Sequence, residues 1–185
     1  MSQRLPISCL ENVISSAERR ALVSKEKLIV PRVSDIYAAL PSITGKFELE
    51  YEGELRGADT VARDLIRTAV AKVYDRHFAG ANVSAVVQWF DLGGALKVGD
   101  NEPSAKVVEQ LGKIQGLLET AARAVEEHAK APEALASAGE FLLDGLHAHR
   151  RINRDEELGY IAEPKKRESP EQPEFPSRRA RRQYN

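Results

Sequence analysis

The segment from Ala58 to Phe78 constrains the fold more than any other part of this chain. Its larger apolar residues recur every three or four positions, which places them on one face of an α-helix: Val61, Leu65, Ile66, Ala69, Val73 and Tyr74. Gly57 and Asp59 favour a helix start, and Gly80 favours a helix stop. The segment therefore predicts a long amphipathic helix with one buried face.

Similar spacing predicts helices along most of the remaining chain. A first helix covers Ile7 to Val23, with an apolar stripe formed by Ile7, Leu10, Val13, Ile14, Ala17 and Ala21. A second begins after Pro31 with Ser34 as its N-cap, and Pro41 is expected to end it at Leu40. Further helices are predicted at Val83–Phe90, from Pro103 with a break near Gly112 and Gly116, and from Pro132 with a stripe that continues to His149 and Ile152.

One segment has the alternation of a β-strand. Apolar Phe47, Leu49 and Tyr51 alternate with acidic residues, which predicts a half-buried strand, as one arm of a small hairpin. Beyond Gly159, proline, glutamate and arginine dominate, and such a composition favours disorder. The predicted fold class is mainly α: a helical bundle with one short strand or hairpin and a disordered C-terminal tail. We divide the chain into a helical segment with the strand (1–55), a helical C-terminal domain (56–160) and the tail (161–185).

The amino-acid composition limits which kinds of partner and which cellular compartment are expected. The formal net charge is −1, which gives no support to a nucleic-acid or membrane partner. No apolar run is long enough to cross a bilayer, and the N-terminal sequence lacks the pattern of a secretory signal. Cys9 is the single cysteine, so no intrachain disulfide can form. A reducing, cytoplasmic location is expected.

The Gly45-Lys46 pair invites comparison with a phosphate-binding loop. Such a loop needs a glycine five residues earlier and a serine or threonine after the lysine. Leu40 and Phe47 occupy those positions, and no GxxxxGK[ST] motif occurs anywhere in the chain. The sequence therefore lacks the phosphate cradle of a P-loop nucleotidase.

Several other residues could take part in binding or catalysis, and for each of them there is also a purely structural explanation. His147 and His149 lie two helical positions apart and point to different faces, so a shared metal is disfavoured; His149 fits a core histidine and His147 a solvated one. Asp35 and Asp64 are candidate acids without a nearby nucleophile or base. Cys9 has no histidine near it in sequence and fits a small residue beside a helix.

Two charged runs likewise have both a functional and a plainer explanation. Glu48, Glu50, Glu52 and Glu54 share one strand face, which fits a cation site or, more simply, a solvated surface. The terminal arginines are compatible with a nucleic-acid or acidic partner, or with a solubilising terminus: Arg178, Arg179, Arg181 and Arg182. Read from chemistry alone, the chain is a mostly helical domain without a complete active site.

Three stretches resemble the C-terminal region of bacterial AAA+ ATPases of the magnesium-chelatase and MoxR group. They are SQRLPISCLENVISSAERRAL at Ser2–Leu22, PRVSDIYAALPSITGKFELEYEGE at Pro31–Glu54 with the following VARDLIRTAVAKVYDRHF, and EFLLDGLHAHRRI at Glu140–Ile152 with ELGY after it. The middle stretch is the most specific. The resemblance implies the helical lid and C-terminal part of an ATP-driven ring protein.

The resemblance also implies what should surround this chain. The ATPase core of such proteins carries a Walker A loop, a Walker B strand and an arginine finger, and none is found in this sequence. ATP and Mg²⁺ are therefore expected only when the chain is joined to such a core, and no cofactor is expected for the chain alone. The resemblance assigns one candidate residue, Arg4, as a second-sensor arginine that reaches the γ-phosphate; a solvated arginine is the plain alternative.

Three functional hypotheses follow. The first is a fragment or split subunit of a magnesium-chelatase-like ATPase that acts in subunit packing or contact with an AAA+ core, without hydrolysing ATP. The second is a stand-alone helical adaptor that docks through its apolar stripes. The third is an enzyme with an unrecognised site, for which Asp64 or the glutamate strand is the best handle.

Overall fold

The computed structural model of this chain describes residues 4–46, 56–155 and 157–164. Its last helix, α8 (Pro132–Ala148), packs against several of the other helices. The other elements are, in chain order, α1 (Arg4–Ser24), α2 (Val33–Ala38), α3 (Leu40–Thr44), α4 (Ala58–Phe78), α5 (Ser84–Asp91), α6 (Ser104–Leu111), α7 (Leu117–Val125), a 3₁₀ turn (Glu126–His128), β1 (Ile152–Asp155) and β2 (Gly159–Ala162). The predicted fold class is confirmed in its main terms: the described residues are mainly helical, with one short antiparallel hairpin.

The main core lies between α8 and the helices that flank it. Leu142, Leu143 and Leu146 of α8 are fully buried among apolar side chains of α4, α6 and α7. Tyr74 and Phe78 close this core from α4, and Trp89 and Phe90 contribute from α5. α8 is buried along most of its length because its neighbours enclose it, and its buried residues include the acids Glu133, Glu140 and Asp144 as well as apolar side chains.

A second apolar cluster joins the N-terminal helices to α4. Leu5 of α1 and Leu40 and Ile43 of α3 pack against one face of α4, formed by Ala62, Ile66 and Val70. Phe141 of α8 touches both clusters. The N-terminal helices therefore share apolar contacts with the helices that follow them.

Proline placement explains a difference from the predicted second helix. That helix ends at Ala38, before Leu40, and Pro41 lies in the first turn of a separate helix, α3. Proline is tolerated there because the first backbone N–H groups of a helix have no intrahelical acceptor. Ser34 is the second residue of α2 and not its N-cap; the carboxylate of Asp35 instead accepts the backbone N–H of Arg32 at 2.8 Å.

The hairpin formed by β1 and β2 is the largest departure from the predicted elements. The last helix was expected to continue through Ile152, but it ends at Ala148, and Ile152 opens β1, pairing with Ala162. Tyr160 of β2 also exchanges backbone hydrogen bonds with Leu96, at 2.8 and 3.0 Å. At Gly159, where φ is +77°, a Cβ would overlap the Leu96 carbonyl oxygen, so only glycine fits this approach.

Two predicted features fall outside the described residues. The strand expected at Phe47–Tyr51 belongs to 47–55, and most of the expected tail belongs to 165–185. The first residues of the expected tail, Ile161 and Ala162, are not disordered, because they pair with β1 as part of β2. In the described part of the chain, no helix is both long enough and apolar enough to cross a membrane.

Candidate functional site: a polar cleft beside helix α8

A cleft of about 770 Å³ lies between α1, α2, α4, the loop at 97–101, α8 and the hairpin. Its walls carry charged and aromatic side chains from all of these elements, among them Arg32, Tyr37, Glu140, His147, Arg154 and Tyr160. Several of these groups are buried, although buried charges are costly unless they are paired. The cleft and its supporting ion pairs form the candidate site.

At one side of the cleft, Arg20 joins α1 to α2 through a cluster of buried ion pairs. Its Nη2 lies 2.9 Å from Asp35 Oδ2 and donates to the Val30 carbonyl at 2.7 Å, while its Nη1 lies 3.0 Å from Glu26 Oε2. Asp35 also accepts the Ser16 hydroxyl at 2.9 Å. Asp35, a candidate acid from the sequence, is therefore engaged in joining α1 to α2.

Arg32 joins the N-terminal segment to the rest of the molecule. Its guanidinium is fully buried and donates to the carbonyl oxygens of Glu102, at 2.7 Å, and Gly99, at 3.2 Å. Its Nε lies 2.7 Å from Oε1 of Glu140 on α8. The burial of Glu140 outweighs the attraction of Arg32 and raises the pKa of Glu140 from its ordinary 4.5 to about 7.

This raised pKa predicts a pH-dependent stability. Between about pH 4.5 and pH 7 the folded protein retains a proton on Glu140 that the unfolded chain has released, so the free energy of unfolding falls as the pH rises through that window. Glu140→Gln keeps an acceptor oxygen for Arg32 but cannot titrate. We expect a shallower pH dependence in this variant, by up to roughly 3 kcal/mol between pH 5 and 8.

Urea unfolding at pH 5, 6, 7 and 8 measures this effect. Near pH 5, wild type and Glu140→Gln should have similar stability, because both present a neutral acceptor to Arg32. The matched control is Glu119→Gln, since Glu119 is exposed on α7 and should leave the pH dependence unchanged. Parallel pH profiles for wild type and Glu140→Gln would contradict the expectation.

Asp144 is a further buried acid of the site, after Asp35 and Glu140. One of its oxygens accepts the Tyr160 hydroxyl at 3.4 Å and Arg154 Nη1 at 3.2 Å, and the other accepts the Tyr37 hydroxyl at 3.5 Å. Burial raises the pKa of Asp144, raises that of Tyr37 to about 12, and raises that of Tyr160 well above its usual value. Both phenols therefore stay protonated at neutral pH and act as donors to Asp144.

Arg154 stacks against the aromatic side chains of the cleft. Its guanidinium carbon lies 4.9 Å from the centre of the Tyr37 ring and 5.3 Å from that of Tyr160. Arg63 of α4 also approaches the Tyr37 ring, at 6.0 Å. The cleft thus presents two guanidinium groups around one phenol ring, an arrangement stabilised by cation–π attraction.

The surroundings of His147 and His149 differ from those predicted. His147, expected to be solvated, is partly buried in the cleft wall, and its Nδ1 has no hydrogen-bond partner among the described residues. His149, expected on the apolar stripe, is exposed. Its Nε2 lies 2.9 Å from Asp75 Oδ1, and its ring lies against that of Tyr74 with the ring centres 5.3 Å apart and the planes tilted by 55°. The described ranges contain no group of histidine, cysteine and acidic side chains that could hold a metal ion.

The remaining sequence candidates lie apart from this cluster. Arg4 is the exposed first residue of α1 and does not line the cleft; Ser8, one turn later, bonds the ammonium of Lys46. Asp64 is half-buried in the cleft wall and pairs with Arg56 and Arg67. Burial raises the pKa of the Cys9 thiol, which disfavours the reactive thiolate.

The charged runs Glu48–Glu54 and Arg178–Arg182 lie outside the described residues. Within the described ranges, the cleft therefore offers binding groups: guanidiniums, phenols and buried acids that are already hydrogen-bonded. No family model matches this sequence, and neither the search of curated proteins nor that of solved structures found a match.

Proposed function

We propose that this chain is an accessory, partner-binding part of a nucleotide-driven ring ATPase of the magnesium-chelatase and MoxR type. It would act in subunit packing or in contact with an AAA+ core in the cytoplasm, and it would not hydrolyse ATP by itself. ATP and Mg²⁺ would be held by the core. The observation that carries the proposal is an apolar stripe on α1 that faces outward.

The outward stripe consists of Ile7, Leu10 and Ile14. These side chains are 59%, 60% and 41% exposed, whereas Ala17 and Ala21 further along α1 are buried. Their spacing of three and four residues places them on one face of the helix. An apolar helix face of this kind is typical of a surface that docks against a partner.

The residues of the stripe lie within the stretch that carries the family resemblance, Ser2–Leu22. In the proteins that this stretch resembles, the corresponding helix begins the lid that follows the ATPase core. Arg4 lies one turn before the outward stripe, at the exposed start of α1. A core that packs on the stripe would therefore lie near the Arg4 guanidinium, in keeping with a second-sensor role.

A stand-alone adaptor is the second candidate, and a separate observation favours it. The Arg32 contacts and the shared apolar clusters join the N-terminal helices to α4 and α8, so the chain has the internal contacts of an independently folding domain. An adaptor would use the same outward stripe for a different protein. The two candidates differ in whether an AAA+ core binds.

Titration of a MoxR-type ATPase core from the same genome into the full chain tests the proposal. We expect saturable binding that is weakened at least tenfold by Ile7→Gln, Leu10→Gln and Ile14→Gln combined, because a buried apolar side chain contributes roughly 1.5–3 kcal/mol. The melting temperature should change little, since the three side chains are exposed and glutamine is a good helix former.

The matched control for this titration is Leu92→Gln with Leu158→Gln. These leucines are 82% and 56% exposed and lie outside α1. The control should bind the core as wild type does. Absence of core binding by a folded wild-type chain would favour the adaptor, and equal weakening by the control variant would contradict a role for the stripe.

A further inference from the structure

The cleft beside α8 is lined by basic side chains that contribute little to holding the folded chain together. Arg19 and Lys97 line it and make no ion pair with any described residue. Among the described residues, Arg63 forms an ion pair with exposed Asp59, at 2.7 Å on the helix surface, where such pairs contribute little to stability. Its guanidinium carbon also lies 6.0 Å from the centre of the Tyr37 ring. These three side chains come from α1, the loop at 97–101 and α4, so they approach the cleft from different sides.

Most acids of the cleft are already engaged. Asp35 pairs with Arg20, Glu140 with Arg32, and Asp64 with Arg56 and Arg67. Asp155 accepts the backbone N–H groups of residues 157 and 158 at 2.8 and 2.9 Å. Among the described lining residues, Asp100 is the one acid without a hydrogen bond or ion pair, whereas Arg19 and Lys97 are the basic residues without an ion pair. Within the described residues, an added anion would therefore meet cations that make no ion pair and few carboxylates that compete for them.

Two polar atoms in the cleft wall lack hydrogen-bond partners. Ser34 Oγ on α2 and His147 Nδ1 on α8 are both buried and unsatisfied among the described residues. Buried polar atoms are almost always hydrogen-bonded in folded proteins, so both atoms are available to a ligand group that reaches this wall. A serine hydroxyl and an imidazole N–H can each donate to an oxyanion.

We propose that this cleft binds a small ligand through an oxyanion, either a phosphate or a carboxylate. Arg63 and Lys97 would supply charge-assisted hydrogen bonds, Ser34 and His147 would donate from the wall, and the Tyr37 ring with Arg154 stacked on it would form the floor. A cleft of about 770 Å³ suits a ligand of metabolite size. The site is separate from the outward stripe of α1.

Calorimetric titration of the full chain with inorganic phosphate, and separately with malonate, tests the site at constant ionic strength set with potassium chloride. We expect saturable binding of at least one of the two anions. Saturation by phosphate alone would identify a phosphorylated ligand, and saturation by malonate alone a carboxylated one. Arg63→Gln with Lys97→Gln should weaken binding by at least about tenfold, because each loses a charge-assisted contact.

The control for charge alone is Lys113→Gln with Arg123→Gln, which removes two exposed basic side chains outside the cleft. This variant should bind as wild type does. In ¹⁵N-histidine spectra, the resonances of His147, assigned with His147→Gln, should shift on saturation while those of His128 stay in place. The proposal is contradicted if neither anion shows saturable binding, if the two double variants weaken binding equally, or if the His147 resonances do not move.

Discussion

Replacing Arg32 with methionine is expected to lower the free energy of unfolding by roughly 3–5 kcal/mol. The guanidinium of Arg32 is fully buried. Its removal leaves Glu140 buried without its cation and leaves the carbonyl oxygens of Gly99 and Glu102 without a donor. Each unsatisfied buried group adds a desolvation penalty. Urea unfolding at pH 7 measures the loss.

A surface arginine provides the control for Arg32→Met. Arg63→Met removes an exposed ion pair with Asp59 and should cost less than about 1 kcal/mol. The double variant Arg32→Met with Glu140→Met should lose less stability than the sum of the two single variants, because the buried carboxyl is removed together with its partner. A loss below about 1 kcal/mol for Arg32→Met would show that this residue does not hold the N-terminal segment to α8.

Gly145→Ala is expected to destabilise the protein by about 3 kcal/mol, although alanine is the better helix former. A Cβ at this position of α8 would lie 2.5 Å from Cγ and 2.8 Å from Cε2 of Tyr74, and closer still to Cδ2. The Tyr74 ring cannot retreat easily because it packs against Phe78 and His149, with ring centres 5.3 Å away in both cases. Helices α4 and α8 would have to move apart.

Two further variants make the Gly145 prediction specific. Gly139→Ala should cost less, since its Cβ would meet the end of the flexible Leu111 side chain at 2.6 Å. Tyr74→Leu should recover part of the loss in the background of Gly145→Ala, because a smaller side chain leaves room for the methyl group. Thermal and urea unfolding report both effects, and a Gly145→Ala variant as stable as wild type would contradict the close packing of α4 against α8.

Local signals were sufficient for much of the helical architecture. The predicted helix from Ala58 to Phe78 has those same ends in the structure, with a glycine just outside or near each end. Its predicted apolar face was wrong in part, because Leu65, Ala69 and Val73 are exposed. The buried face consists instead of Ala62, Ile66, Val70, Tyr74 and Phe78. The predicted break near Gly112 and Gly116 separates α6 from α7, and Gly116 adopts φ +79°, which glycine accommodates without strain. Pro132 begins α8 as predicted.

The hairpin and the cleft depend on contacts that local patterns do not contain. Ile152 continues the helical spacing of α8, yet Arg150 turns the chain with φ +55° and Ile152 enters β1. Arg32 and Glu140 are far apart in sequence, so neither residue looks unusual until the fold brings them together. For Arg20, the sequence contained one indication of burial. It lies three residues after Ala17, which places it beside the buried stripe of α1.

The apolar stripe of α1 was predicted as one continuous core face, and the structure divides it. Ala17 and Ala21 are buried, but Ile7, Leu10 and Ile14 are exposed. Periodicity alone identifies an apolar helix face and does not say what covers it. In the proposed function, the exposed part is the surface on which an ATPase core packs.

The rate of ATP hydrolysis by the chain, by a MoxR-type core from the same genome, and by their mixture tests the proposed function most directly. The chain lacks the Walker A motif, so we expect no hydrolysis above background by the chain alone. We expect the rate of the core to change saturably as the full chain is added. ATP turnover by the chain alone, or a core whose rate is unchanged by excess chain, would contradict the account.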